Sequence, residues 1–224
     1  APPDRANFRL AKSPRGRRMR RLIGSALSIA IAITSVQASA TGTDPLTEVA
    51  QAVVLTQTMS ARCEKSLPGL KPQLQDARTT WTSMLSADQL QAGEAYEQSK
   101  DGKSFAKALA NGLSRGFNES VIAAAETCIG LLKFYRVSYP TPVGTSMPAD
   151  KVKWHLDNFA PLVLSALKCA RLDGIDVAAA PDGTEVWSYR GCGRTETLNV
   201  APPSDQRWPM DGAIADRLFA TMVR

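Results

Sequence analysis

The chain has 224 residues, with 27 Lys+Arg against 21 Asp+Glu and a formal net charge of +6. The surplus sits at one end: Arg5, Arg9, Lys12, Arg15, Arg17, Arg18, Arg20 and Arg21 face one acid, Asp4, within residues 1–40, which leaves 19 bases and 20 acids beyond them. A basic balance argues for nucleic acid only when the folded domain carries it, so that class of partner is excluded.

Residues 19–40, MRRLIGSALSIAIAITSVQASA, have the three-part layout of a secretory signal peptide. Met19-Arg20-Arg21 is the basic start, Leu22 to Ile33 the apolar run, and Ala38-Ser39-Ala40 the A-x-A pattern that a signal peptidase reads, with cleavage expected after Ala40. The apolar run is shorter than the roughly 20 residues of a membrane span. Residues 1–18 contain no Met and precede a complete leader. They read as a start-site error, with translation beginning at Met19, or as a disordered basic extension. The product expected from Thr41 onward is soluble and periplasmic, with no stable membrane span after processing.

In that part, Asp44-Pro45 offers an N-cap and a first-turn proline, and Leu46, Val49, Ala50 and Val53 recur at helical spacing. Pro68-Gly69 stops this helix, and a second follows Pro72 with Leu74, Ala77, Trp81 and Leu85 on its stripe. Trp81 on that stripe reads as core and not as a ligand-stacking residue. Ser86 and Gln89 form a capping-box pattern that opens a third helix, with an interruption expected at Asp101-Gly102. Phe105, Leu109 and Leu113 carry the stripe onward. Asn118 is the expected cap of a fourth helix bearing Val121, Ala125, Cys128 and Leu132. Ser114-Arg115-Gly116 and Lys100 to Lys103 read as solvated turns. Residues 41–137 are therefore expected to form an antiparallel helical bundle.

Residues 138–149, SYPTPVGTSMPA, read as a linker or long loop. Residues 150–224 then read as a small α+β module. Val152, Leu156 and Phe159 share a helical face, and Pro161 is expected to kink or restart that helix before Cys169. Ile175, Val177 and Ala179 alternate as a strand, Pro181-Asp182-Gly183 turns, and Val186 to Tyr189 returns, with a third strand possible at Thr195 to Val200. Ala213 to Met222 closes the chain as a short helix. The fold class is thus mainly α with a small α+β part: an N-terminal helical bundle, then a helix plus an antiparallel β-hairpin module.

The four cysteines, Cys63, Cys128, Cys169 and Cys192, all follow the leader. An even count in an exported chain favours disulfides, although four cysteines allow three pairings. The chain's organisation favours Cys63–Cys128 within the bundle and Cys169–Cys192 within the module. The absence of C-x-x-C argues against thioredoxin-like chemistry, and wide spacing with a single His argues against zinc.

The helix ending in Cys169, the hairpin, Gly191-Cys192-Gly193 and the further strand resemble a small module of uncharacterised exported proteins and lipoproteins of Gram-negative bacteria. Cys169, Val177, Tyr189, Gly191, Cys192, Gly193 and Leu198 carry the resemblance, over about 40 residues of the 224. The chain departs at Val200, where such modules often have another Cys, and with that Cys missing the resemblance implies Cys169 as the partner of Cys192. It implies no activity.

A search for chemistry finds little. His155 is the one histidine, no G-x-S-x-G accompanies it, and a packing or surface role is expected. Asp173 and Asp176 read as a turn and an exposed strand face. No P-loop, H-E-x-x-H, dinucleotide fingerprint or EF-hand loop occurs. No catalytic residue, metal ligand or cofactor is assigned. The leading expectation is a non-enzymatic protein that binds another envelope protein or supports the envelope. The alternatives are a cell-envelope hydrolase with a dispersed active site and a small-ligand binder working between the two halves.

Overall fold

The structure, a computed structural model, describes residues 44–201 and 212–223. These belong to the second of two units into which the chain divides, Thr41–Arg224. The expected leader, with Ala38 and Ala40, and the basic stretch before it lie outside the described residues.

Local signals start most of the helices. Asp44 accepts from Leu46 N and Pro45 fills the first turn of α1, Pro45–Ser66. A 3-10 turn at Pro68–Leu70 leads into α2, Lys71–Ser83. α3, Ala87–Gln98, opens on the full capping box: Ser86 N donates to Gln89 Oε1 at 2.9 Å and Gln89 N to Ser86 Oγ at 3.3 Å.

Two boundaries fall elsewhere than expected. The break near residue 100 is at Ser99, whose hydroxyl donates to Tyr96 O at 2.7 Å and accepts from Gly102 N at 2.9 Å. One serine thus satisfies groups of both helix ends without a loop, and Asp101-Gly102 sits in the first turn of α4, Lys100–Glu119. Likewise Ser120, not Asn118, caps α5, Val121–Phe134, by accepting from Ala123 N at 3.1 Å. The stretches 100–103 and 114–116, expected as turns, are consequently helical.

α1 packs against α2, α3, α4 and α5. Its buried face runs Ala50, Val53, Val54, Met59 and Cys63, and α3 comes so close that a Cβ on Gly93 would lie 2.9 Å from the Val53 side chain. Gly93→Ala gains helix propensity of about 1 kcal/mol but overpacks this crossing by about 1–3 kcal/mol. A net fall of a few degrees in Tm by thermal denaturation is expected. An unchanged or raised Tm would mean that the two helices separate freely.

α6, Ala149–Leu167, runs through Pro161 without ending. The proline has no N–H for the turn before it, and its own carbonyl gains an extra donor, Gln73 Nε2 at 2.9 Å. Three strands follow, β1 Gly174–Ala179, β2 Glu185–Gly191 and β3 Arg194–Val200, paired antiparallel in the order β1-β2-β3. Ile175 stands opposite Tyr189 and Trp187 opposite Leu198, so period-two alternation puts all four on the buried face. α6 packs on β2 and β3, and α7, Gly212–Met222, packs on α6 and α5 with Leu218 and Met222 buried. The architecture is mainly α with a small antiparallel sheet.

Residues 138–149 connect α5 to α6 and also bind the sheet. Val143 N donates to Ile175 O at 3.0 Å and Val143 O accepts from Val177 N at 2.8 Å, so this segment covers the middle of the free edge of β1. Gly144, at φ +96°, passes so near Val177 O that a side chain there has no room. One hydrophobic cluster spans both sides of the segment, from Met59 and Leu74 to Phe159, Trp187, Leu198 and Met222.

All four cysteines are paired. Cys63–Cys128 joins α1 to α5 with a Cα–Cα distance of 5.7 Å, and both residues are fully buried. Cys169–Cys192, at 5.8 Å, joins the end of α6 to the β2–β3 turn. That turn consists of Cys192 and Gly193 at φ +50° and +69°, the left-handed pair of a tight hairpin. Gly191 before it is required: a Cβ there would lie 2.9 Å from Arg171 O. Both α5 and α6 end in a left-handed residue that is not glycine, Arg136 at φ +56° and Lys168 at φ +53°. Val137 N to Leu132 O, and Cys169 N to Leu164 O, complete the same six-residue cap at each end. A left-handed L-residue costs about 1–2 kcal/mol, and a cation at a helix C-terminus returns about 0.3–1 kcal/mol.

Candidate functional site

α6 divides two polar neighbourhoods. Its 3.6-residue period turns His155 and Phe159 toward the sheet and Val152, Lys153, Leu156 and Asp157 toward a surface cleft.

On the sheet side the one histidine is sealed. His155 is 0 % exposed, its Nε2 lies 2.7 Å from the Tyr189 hydroxyl, and its ring stacks on Phe159 and meets Trp187 at 4.6 Å between centroids. Its Nδ1 has no hydrogen-bond partner among the described residues. Burial pushes its pKa down to about 4, against a small opposing pull from Glu185, so the ring is neutral near pH 7. Burial also raises the Tyr189 phenol. Glu185 is nearly buried beside them. Burial alone would raise its carboxyl, but donors outweigh that and hold it low: Ser146 N and Oγ at 2.7 Å each, Thr145 Oγ1 at 2.8 Å and Trp187 Nε1 at 2.9 Å. These bonds tie the 138–149 segment to β2 from the inside. The cluster holds structure together, with His155 and Tyr189 fully buried and Glu185 nearly so.

The cleft lies on the other face of α6. It has a volume of about 700 Å³, within the usual range for small-molecule sites. Three stretches build it: the end of α5 with Lys133 and Arg136, residues 137–147, and the first two turns of α6. Val137, Pro142, Met147, Val152 and Leu156 give it an apolar floor, and Tyr139 stands among them with its phenol raised by burial. At the rim, Lys153 Nζ pairs with Asp157 Oδ2 at 2.7 Å, which cancels one charge of each sign. Lys133 and Arg136 have no ion-pair partner among the described residues; Lys133 Nζ donates instead to the neutral Asn158 Oδ1 at 3.0 Å. Partial burial lowers the Lys133 ammonium, with Asp157 pulling the other way. A second cleft of about 450 Å³ shares Arg136 to Tyr139 and reaches Asp76 and Arg171. There Arg171 Nε is bound to Asp76 Oδ2 at 2.7 Å, so its charge is matched.

The residues singled out in the sequence fall as follows. Of Asp173 and Asp176, the second has its carboxylate 2.9 Å from Arg190 Nη2 on an exposed face, and the first is anchored through its backbone, its N donating to Arg190 O. Trp81 packs on the core against Phe134 and Tyr135. Tyr189 and Leu198 are fully buried under α6. No group of three or more His, Cys, Asp or Glu positioned for a metal ion, and no helix long and apolar enough to cross a membrane, occurs among the described residues. The cleft residues Lys133, Arg136, Tyr139 and Lys153 were not selected from sequence, because no motif joins them. The one local hint is an Arg where a helix C-cap usually has Gly. Comparison of the chain with protein-family models, with curated proteins and with solved structures gives no significant match.

Proposed function

We propose that this is an exported periplasmic protein, made with the signal peptide 19–40, that acts in the cell envelope by binding and not by catalysis. The observation that carries the reading is the pair of closed disulfides, which takes up every cysteine of the chain. Such bonds persist in oxidising compartments and are reduced in most cytosols. The sealed His155 supports the non-catalytic half, because the one histidine can neither reach a substrate nor hold a proton near pH 7. The resemblance of the Cys169-to-Leu198 module to exported proteins of Gram-negative bacteria points to the same compartment. The partner class is another envelope component.

Expression of the whole chain in a Gram-negative host, followed by fractionation and N-terminal sequencing, tests the export reading. A periplasmic product beginning at Thr41 is expected. A cytoplasmic product with free thiols, or a mature chain beginning before Met19, would overturn it.

The hydrolase reading has one observation in its favour: Ser138 and the partly desolvated Lys133 line the same cleft. Turnover of peptidoglycan or ester substrates that is lost in Asp157→Asn, the one carboxylate of the cleft lining, would establish it in place of the binding reading.

A further inference from the structure

We propose that the cleft between the end of α5, residues 137–147 and α6 binds a small amphiphilic anion, an apolar chain ending in a carboxylate, with Arg136 and Lys133 taking the head group. The proposal rests on the binding reading above and names its ligand class.

Three independent features of the cleft agree. Its floor is apolar, so water held there is displaced with gain by a hydrocarbon chain. Its charge is unbalanced in one direction only: the Lys153–Asp157 pair cancels, and two cations remain with no carboxylate in ion-pair range among the described residues. Arg136 also lines the second cleft, where Arg171 is matched by Asp76, so the side on which Lys133 stands beside Arg136 carries the larger unmatched charge. Third, Arg136 holds a left-handed conformation at a position where glycine avoids the strain. Glycine is the unstrained choice for such a cap, and the arginine that stands there instead places a guanidinium in the cleft lining. The guanidinium offers a planar fork suited to a carboxylate, while Lys133 adds a point charge. Ala149, the first residue of α6, also lines the cleft, and no side chain caps that helix end, so the helix dipole adds to the same sign of field.

Lys168 supplies an internal control. It occupies the equivalent cap of α6 with nearly the same φ, yet it does not line the cleft. Arg136→Gly and Lys168→Gly therefore relieve the same backbone strain, and only the first removes a proposed ligand contact. Both should raise Tm by a few degrees in the absence of ligand.

Decanoate titrated below its micellar range into the disulfide-bonded protein, followed by calorimetry and thermal shift, is expected to bind and to raise Tm. Lys168→Gly should bind equally, and Arg136→Gly should bind at least 10-fold more weakly. Decyltrimethylammonium, with the same chain and the opposite charge, and acetate, with the head group alone, should give no shift. Equal shifts from the two decyl compounds would reduce the site to hydrophobic adsorption and overturn the proposal. So would a shift from acetate alone, equal binding by the two glycine variants, or no decanoate binding at all. p-Nitrophenyl decanoate, a neutral ester, separates this from the underlying reading: its turnover would overturn the non-enzymatic function and leave the carboxylate site to the decanoate result, whereas failed decanoate binding without turnover overturns the ligand and leaves the binding reading to partner capture.

Discussion

Replacing Cys63 and Cys128 together by Ala lowers the stability of the protein by about 4 kcal/mol, the loop-entropy value for a closed loop of this length. The sequence separation is 65 residues, against 23 for Cys169–Cys192, whose loss is expected to cost about 3 kcal/mol. Both cysteines of the first pair are fully buried at the α1–α5 contact, so their replacement also leaves a small void. A domain of ordinary stability has about 5–15 kcal/mol in total, and loss of both bridges removes a large part of it. Denaturant unfolding with and without reductant reads this directly. The midpoint should drop steeply in reductant, with a larger m-value because the reduced unfolded chain exposes more surface. An unchanged midpoint, with both thiol pairs verified as reduced, would mean that packing alone sustains the fold.

The second large effect is on acid stability. The pKa of His155 is about 4 in the folded protein and 6.5 when exposed, so between those values the unfolded chain takes up a proton that the native state refuses. A depressed folded pKa contributes stability that is present above pH 6.5, and that is lost progressively until pH 4. The difference corresponds to roughly 3 kcal/mol. Glu185, held below its usual range by its donors, acts in the same direction but chiefly around and below about pH 4.5, where an exposed glutamate is half protonated. The two windows barely overlap. Unfolding free energies measured from pH 7.5 to pH 4 should fall mainly above pH 4.5 in the native sequence. The slope in that window should disappear in His155→Phe, which keeps the aromatic stack against Phe159 and Trp187. A native profile flat from pH 7 to pH 5 would show that His155 gains solvent on a short timescale.

Much of the fold was legible because its cues are local. Asp44-Pro45, the Ser86/Gln89 box and the alternation of Ile175 with Val177 each act over a few residues, and each appears in the structure. Gly102 looked like the helix breaker, yet the Ser99 hydroxyl makes the break, and glycine is needed because any side chain there would collide with Tyr96 O. The 138–149 stretch has the composition of a free linker, and its attachments are invisible in sequence because they reach 39 and 40 residues ahead to Glu185. The same reason hides the cleft. Lys133 and Lys153 come from different helices, and Arg136 takes a conformation that its residue type disfavours, so neither spacing nor propensity reveals it.

The order of the disulfides along the chain has a consequence for how the protein is made. Each bridge joins neighbours in the cysteine series, first to second and third to fourth, and neither loop encloses the other. A polypeptide that meets its oxidant N-terminus first exposes Cys128 as the earliest available mate for Cys63. By the time Cys192 appears, Cys169 is the one thiol left. On that route, pairing by order of arrival would reach the native set directly, and oxidative maturation would need a donor of disulfides but no enzyme to reshuffle them.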